Sequence, residues 1–240
     1  MDRRPVRRIR ARPGYERMSG WPASIPGVAA LLRNGLDLPA GVTFLVGENG
    51  SGKSTIVEAI AEVYGINPEG GSRNARHSTR RSESDLARWI ELERGVGGPT
   101  WAYFLRAETM HGLYTYLEGL PDARGPRFHE MSHGESFLQV LRTSFDSSGF
   151  YLMDEPEAAL SFQSCLGLIA LLNDLADGGS QVVVATHSPL LAALPGATIL
   201  QLDHGGVREV NWNDLDLVAS WRSYLDAPDR YLRHLLSRDD

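Results

Sequence analysis

Two periods of hydrophobicity alternate along this chain. Short, mainly apolar runs, Val42 to Val46, Phe150 to Met153 and Gln181 to Ala185, are set among stretches in which apolar residues recur every three or four positions. The runs have the length and composition of strands buried on both faces, and the longer spacing is that of helices with one buried side. The first helix is predicted over Lys53 to Tyr64, with Ile56, Val57, Ile60, Ala61 and Tyr64 on one face and Gly65 as its stop. Another is predicted over Ser84 to Arg94 from Leu86, Trp89, Ile90 and Glu93. A third runs over Ser161 to Ala176, with Leu166, Ile169, Ala170, Leu172 and Leu175 turned inward. Trp101 to Leu105 reads as a strand, and Ala197 to Leu202 with Val207 to Val210 as a hairpin across His204-Gly-Gly206. Asp214 to Leu225 and Pro228 to Ser237 read as closing helices, and residues 14 to 40, rich in Pro and Gly, as irregular structure or short antiparallel strands. Strands alternating with helices specify an α/β fold with a mainly parallel sheet flanked by helices.

The first apolar run discharges into Gly47-Glu48-Asn49-Gly50-Ser51-Gly52-Lys53-Ser54, a G-x-x-x-x-G-K-S pattern that opens a helix. Strand, glycine-rich loop and helix start in that order turn backbone N–H groups and the positive end of a helix dipole onto a polyphosphate. Lys53 then reaches the β and γ phosphates and Ser54 offers its hydroxyl to Mg²⁺, with Thr55 beside it counted among the binding residues. Of 24 Lys and Arg residues Lys53 is the only lysine, so the one compact, strongly hydrated ammonium sits where it suits phosphate.

Three further stretches carry chemistry. The strand Phe150 to Met153 ends in Asp154-Glu155-Pro156-Glu157, which puts carboxylates at the sheet end where α/β folds bind ligands. Asp154 can enter the Mg²⁺ shell, and Glu155 can orient or deprotonate a water. The strand Gln181 to Ala185 ends in Thr186-His187-Ser188-Pro189, so that His187 lies beside both other motifs, placed to sense the γ-phosphate. Ser132 with Glu135 three residues on is a capping box, which marks a helix N-terminus with free N–H groups.

Composition narrows the partners. A net charge of −6 argues against a general nucleic-acid binder, although residues 1 to 17 hold seven Arg and are expected to form a solvated, frayed arm. Cys165 is the sole cysteine, so the chain forms no internal disulfide and suits a reducing compartment. No apolar run approaches the ~20 residues of a membrane span. The basic start lacks the apolar segment of a signal peptide. The expectation is a single cytoplasmic domain over residues 1 to 240.

Gly47 to Ser54, Ser132 to Glu135, Asp154-Glu155 and His187 together resemble, in order, the Walker A, signature, Walker B and switch-histidine motifs of the ABC-type ATPases. Ser132 precedes Asp154 by 22 residues and Glu155 precedes His187 by 32, close to the spacing of that family's core. The resemblance covers about Val42 to Val210. It is to small stand-alone ATPases of the AAA/ABC-like group related to the SMC and RecF-like branch. It implies a P-loop NTPase fold with a helical or loop insertion over residues 66 to 130 and C-terminal helices over 212 to 240. It also implies ATP and Mg²⁺ as ligands, the metal on Ser54 and Asp154, with Lys53, Glu155 as base and His187 as switch forming the catalytic set. By the same resemblance Ser132 and Gly134 contact the γ-phosphate held by a second copy, which gives an ATP-dependent homodimer, and Ala158 to Ser161 fall where the D-loop would be. His133 replaces a glycine of the usual signature, and no Gln lies between Ser54 and Ser132, so Glu108 is the candidate for the missing Q-loop residue. Tyr15 or Trp21 is a candidate to stack on adenine. The segment 66 to 108, with Arg73, Arg76, Arg80, Arg81 and Arg106, is expected to meet a protein or nucleic-acid client.

Two other readings compete with a soluble ATPase. A transporter's nucleotide-binding subunit shares the chemistry, but Glu157 after Asp-Glu-Pro and the segment without Gln fit the soluble branch better. His129-Glu130-Met131-Ser132-His133 matches the H-E-x-x-H zinc protease pattern. Zinc needs both histidines on one helical face. Here the capping box starts the helix at the end of the motif, so zinc is not expected.

Overall fold

Parallel strands that are apolar on both faces need cover on both sides, and the chain supplies it from helices and from a second, smaller sheet. The computed structural model describes residues 4–67, 70–72, 84–96, 101–106, 141, 148–158 and 160–236. A seven-stranded sheet is built from β3 (Gly41–Gly47), β4 (Gly71–Ser72), β6 (Ala102–Arg106), β7 (Phe150–Asp154), β8 (Gln181–Thr186), β9 (Thr198–Asp203) and β10 (Gly206–Glu209). Its order is β10-β9-β3-β8-β7-β6-β4. The five strands from β9 to β6 run parallel, and β10 and β4 are antiparallel edges. The smaller sheet, order β2-β1-β5, joins β1 (Arg8–Ala11), β2 (Leu36–Asp37) and β5 (Ile90–Glu93), all antiparallel.

Alternate residues of each central strand feed two separate cores, as the two-residue period of a strand requires. Leu45, Phe104, Leu152 and Val183 face one side, where α1 (Pro26–Asn34), α2 (Lys53–Tyr64), α3 (Leu86–Trp89) and the small sheet cover them. Phe44, Leu105, Met153 and Val184 face the other, under α4 (Phe162–Asp177) and the start of α5 (Asp216–Asp226). A last helix, α6 (Pro228–Leu236), follows α5.

The predicted first helix, the strands at 101, 150 and 181, the hairpin and the closing helices are all present within one or two residues. Four expectations fail. Residues 26–34 form a helix within the stretch expected to be irregular; Pro26 stands at its first position and Gly35 follows its end, while Val28, Leu31 and Leu32 pack into the core. The helix predicted over Ser84 to Arg94 stops at Trp89, because Ile90 to Glu93 pair with Arg8 to Ala11. That pairing also overturns the frayed arm, since part of the basic N-terminal segment is the middle strand of the small sheet. In α4 Leu172 and Leu175 are buried as predicted, but the rest of the buried face is shifted: Cys165, Leu168 and Leu171 are buried, whereas Leu166 and Ala170 are exposed.

Gln181 joins the two sheets. Its side chain is buried; Oε1 accepts from Val6 N–H at 3.0 Å, and Nε2 donates to the carbonyls of Val6 at 2.7 Å and Pro39 at 2.9 Å. Truncation to alanine leaves these backbone groups unpaired inside the protein. Gln181→Ala is therefore expected to lower stability by about 2–4 kcal/mol in denaturant unfolding. A loss under about 0.5 kcal/mol would show that the N-terminal segment is held by other contacts.

Candidate functional site

The order β3-β8-β7 sets the C-terminal ends of three motif-bearing strands side by side. Val46 is level with Thr186, and Asp154 with Ala185, so the glycine loop, His187 and the acidic turn leave the sheet at one height. Parallel sheets present ligand sites at this end, because each strand stops there and each following helix starts there.

The loop after β3 closes tightly before α2. Gly52 has φ +99°, which admits glycine at low cost, and it caps the helix that Lys53 begins. A Cβ on Gly47 would collide with the Leu202 backbone carbonyl and lie 2.7 Å from Ser51 Oγ, so the loop keeps its shape only without a side chain there. Lys53 is buried, and its Nζ donates to the carbonyls of Gly47 at 2.7 Å and Glu48 at 2.9 Å. Burial pushes the ammonium's pKa down, against the opposing pull of Glu155, Asp154 and Glu157. Ser51 Oγ is buried and has no hydrogen-bond partner among the described residues. An acceptor-rich anion in this loop would take up both the lysine and that hydroxyl, so the residues fit a polyphosphate.

At the foot of the loop Ser54 Oγ donates to Asp154 Oδ1 at 2.8 Å. A hydroxyl and a carboxylate oxygen in contact are hard ligands of the kind that holds Mg²⁺ when substrate phosphates supply the rest of the shell. Asp154 is buried at the end of β7. Glu155 follows with φ +48°, and its backbone N–H donates to the Ala185 carbonyl at 2.9 Å. His187 Nδ1 lies 3.5 Å from Glu155 Oε1 and 3.6 Å from Glu157 Oε1.

A cleft of 600 Å³ is lined by Lys53, Ser54, Asp154 and Glu155, together with Trp21 and Arg106. Asn49, Gly50, Gly52 and Thr55 complete its loop side. Glu48 and His187 instead line a hollow of 910 Å³ on the other side of the loop, against α5 and α6. Of the two aromatics considered for stacking, Trp21 borders the cleft and is 54% exposed, whereas Tyr15 packs against the core under the small sheet. Arg106, at the end of β6, was given no role at this site by its sequence position. Its Nη2 bonds Glu58 Oε1 at 2.7 Å, and its Nε is 4.0 Å from Asp154 Oδ2. The signal for it was present: it ends a predicted strand, as Asp154 and Thr186 do.

Ser132, Gly134 and Glu108, the arginines from Arg73 to Arg81, and His129, Glu130 and His133 lie outside the described residues. Among the described residues no group of three or more His, Cys, Asp or Glu is arranged to hold a metal ion, and no helix is long and apolar enough to cross a membrane.

An AAA domain model matches residues 32–96. The fructose import ATP-binding protein FruK of Bifidobacterium longum is 26% identical in an alignment of 196 residues that covers 71% of this chain and 38% of that protein. The hemin import ATP-binding protein HmuV of Gloeobacter violaceus is 25% identical in an alignment of 218 residues that covers 77% of this chain and 76% of that one. The chain spans little more than a third of the length of FruK and of several other such relatives. In fold it is similar to a metal-chelate type ABC transporter solved in an inward-facing conformation, at a TM-score of 0.51 and 17% identity, over 91% of this chain and 89% of that one.

Proposed function

We propose that this chain is an ABC-like P-loop ATPase that binds ATP with Mg²⁺ and hydrolyses it to ADP and phosphate in a cycle that drives a conformational change. The observation that carries the reading is the convergence of Lys53, the Ser54–Asp154 contact and Glu155 in one cleft under the glycine loop. Residues Gly47 to Thr55 hold the phosphates, with Lys53 leaving the loop carbonyls for the β and γ phosphate oxygens. Ser54 and Asp154 hold the metal, which would neutralise charge on the phosphates. Glu155 orients a water and takes its proton as the water oxygen bonds the γ-phosphorus and the bond to the β,γ-bridging oxygen breaks. His187, within reach of Glu155, senses the γ-phosphate and signals its loss. Trp21 offers its face to the base.

In the same proposal two copies enclose two nucleotides, Ser132 and Gly134 of each completing the site of the other. The chain works in the cytoplasm on a protein or nucleic-acid client met through residues 66 to 108. A second reading, the nucleotide-binding subunit of a transporter, is favoured by the relatives, which are ATP-binding proteins of import and export systems. The two readings share the site and differ in the client.

A fluorescent ATP analogue with Mg²⁺ tests the centre of the proposal. Binding is expected, hydrolysis should accompany it with unlabelled ATP, and EDTA should slow that hydrolysis. Absence of binding with Mg²⁺ present would sink the ATPase reading.

A further inference from the structure

Glu157 is a buried carboxylate that the reaction as described does not use. It stands two residues after Glu155, in the turn closed by the Ala158 N–H to Glu155 carbonyl bond of 3.0 Å. Its Oε1 accepts the hydroxyl of Thr186 and, at 2.9 Å, the backbone N–H of His187. Thr186 Oγ1 in turn accepts the N–H of Ser188 at 2.9 Å, so one oxygen of Glu157 organises three successive residues at the exit of β8. Its Oε2 is buried and has no partner among the described residues. Keeping a carboxylate out of water with one oxygen unpaired costs stability.

The connection it makes has a mechanical consequence. Glu155 and His187 leave neighbouring strands, and the last link between those strands is the Glu155 N–H to Ala185 carbonyl bond. Past it, Glu157 Oε1 connects the turn after β7 to Thr186 and His187 at the exit of β8. His187 Nδ1 lies 3.5 Å from Glu155 Oε1, longer than a good hydrogen bond, so its reach to that carboxylate depends on where its backbone is held. We infer that Glu157 is a positioning residue, whose Oε1 locks the turn carrying Glu155 to the backbone of His187 and fixes the base and the switch histidine in one geometry. This rests on the proposed ATPase reading. What the bridge requires is an acceptor oxygen at the length of a glutamate side chain; the negative charge is not required.

The test compares Glu157→Ala, Glu157→Asp and Glu157→Gln for kcat in ATP hydrolysis and for the Kd of a non-hydrolysable ATP analogue with Mg²⁺. Alanine removes the oxygen, and aspartate keeps the charge but is one methylene short. Both are expected to lower kcat about ten- to a hundredfold, the effect of losing buried hydrogen bonds at a reacting group, with Kd unchanged within about threefold. Glutamine keeps the oxygen at full length and should restore kcat to within about threefold of the parent. The inference is overturned if Glu157→Asp and Glu157→Ala turn over like the parent, if glutamine is as poor as alanine, or if Kd rises as much as kcat falls. A parent protein that does not hydrolyse ATP overturns the ATPase reading itself, and this inference with it. Should Glu157→Ala not fold, the aspartate and glutamine pair decides the matter alone.

Discussion

Glu155→Gln is expected to slow ATP hydrolysis by about 10²- to 10⁴-fold, the usual worth of a positioned general base, with ATP binding retained. The geometry gives the reason for both halves. Glu155 is held by a backbone bond to Ala185 and by the turn bond from Ala158, and its φ of +48° is a conformation non-glycine residues adopt at a cost of about 1–3 kcal/mol. Such a cost persists where surrounding bonds over-determine it, and here they aim a carboxylate into the cleft beyond the Ser54–Asp154 contact. Glutamine keeps shape and cannot take a proton, so the chemical step slows. The loop residues proposed to hold the phosphates, Gly47 to Thr55, do not include this side chain, so binding is expected to survive. The trapped protein should also dimerise on ATP and return to monomer without it, by light scattering. Turnover within tenfold of the parent would remove Glu155 from the role of base. A mass independent of nucleotide would remove the two-copy site, leaving His133 in the signature as the place to look.

Lys53→Met is expected to weaken ATP binding by about 10²-fold or more, the loss of two or so charge-assisted hydrogen bonds to phosphate. Methionine fills the same space with no charge, so the apolar packing of the helix start remains. Two carbonyls, of Gly47 and Glu48, lose their donor in the free protein, which costs the loop some order and lowers stability modestly. The single lysine gives a second route to the same result: a lysine-directed acylating reagent has one side-chain target in this sequence, and ATP should shield it. Burial already depresses the pKa of this amine, which makes its neutral, reactive form accessible at lower pH than in an ordinary lysine. Unchanged affinity in Lys53→Met, or modification indifferent to ATP, would place the phosphates elsewhere.

The sequence alone determined what local rules decide. A glycine pattern between an apolar run and a helical period specified the loop and the start of α2 at Lys53, because a tight turn, a left-handed φ and a helix cap are properties of consecutive residues. The same holds for carboxylates at the end of β7 and a histidine at the end of β8, each read from a strand length and the polar residues after it. Tertiary structure decided what depends on neighbours distant in sequence. Ile90 to Glu93 follow a helical period and become a strand, because β1 offers them a partner some 80 residues away. The buried face of α4 turned from Leu166 towards Cys165 and Leu168, because the sheet surface and not the helix itself sets which side is covered. The strand order that sets β3, β8 and β7 side by side brought the glycine loop and the acidic turn into one cleft, with Trp21 and Arg106 at its edge, and placed His187 at the neighbouring hollow. It also turned Glu157 from one more acid in a turn into the bridge to His187, since a hydrogen bond across 30 residues of sequence exists only once the strands that carry its two ends lie side by side.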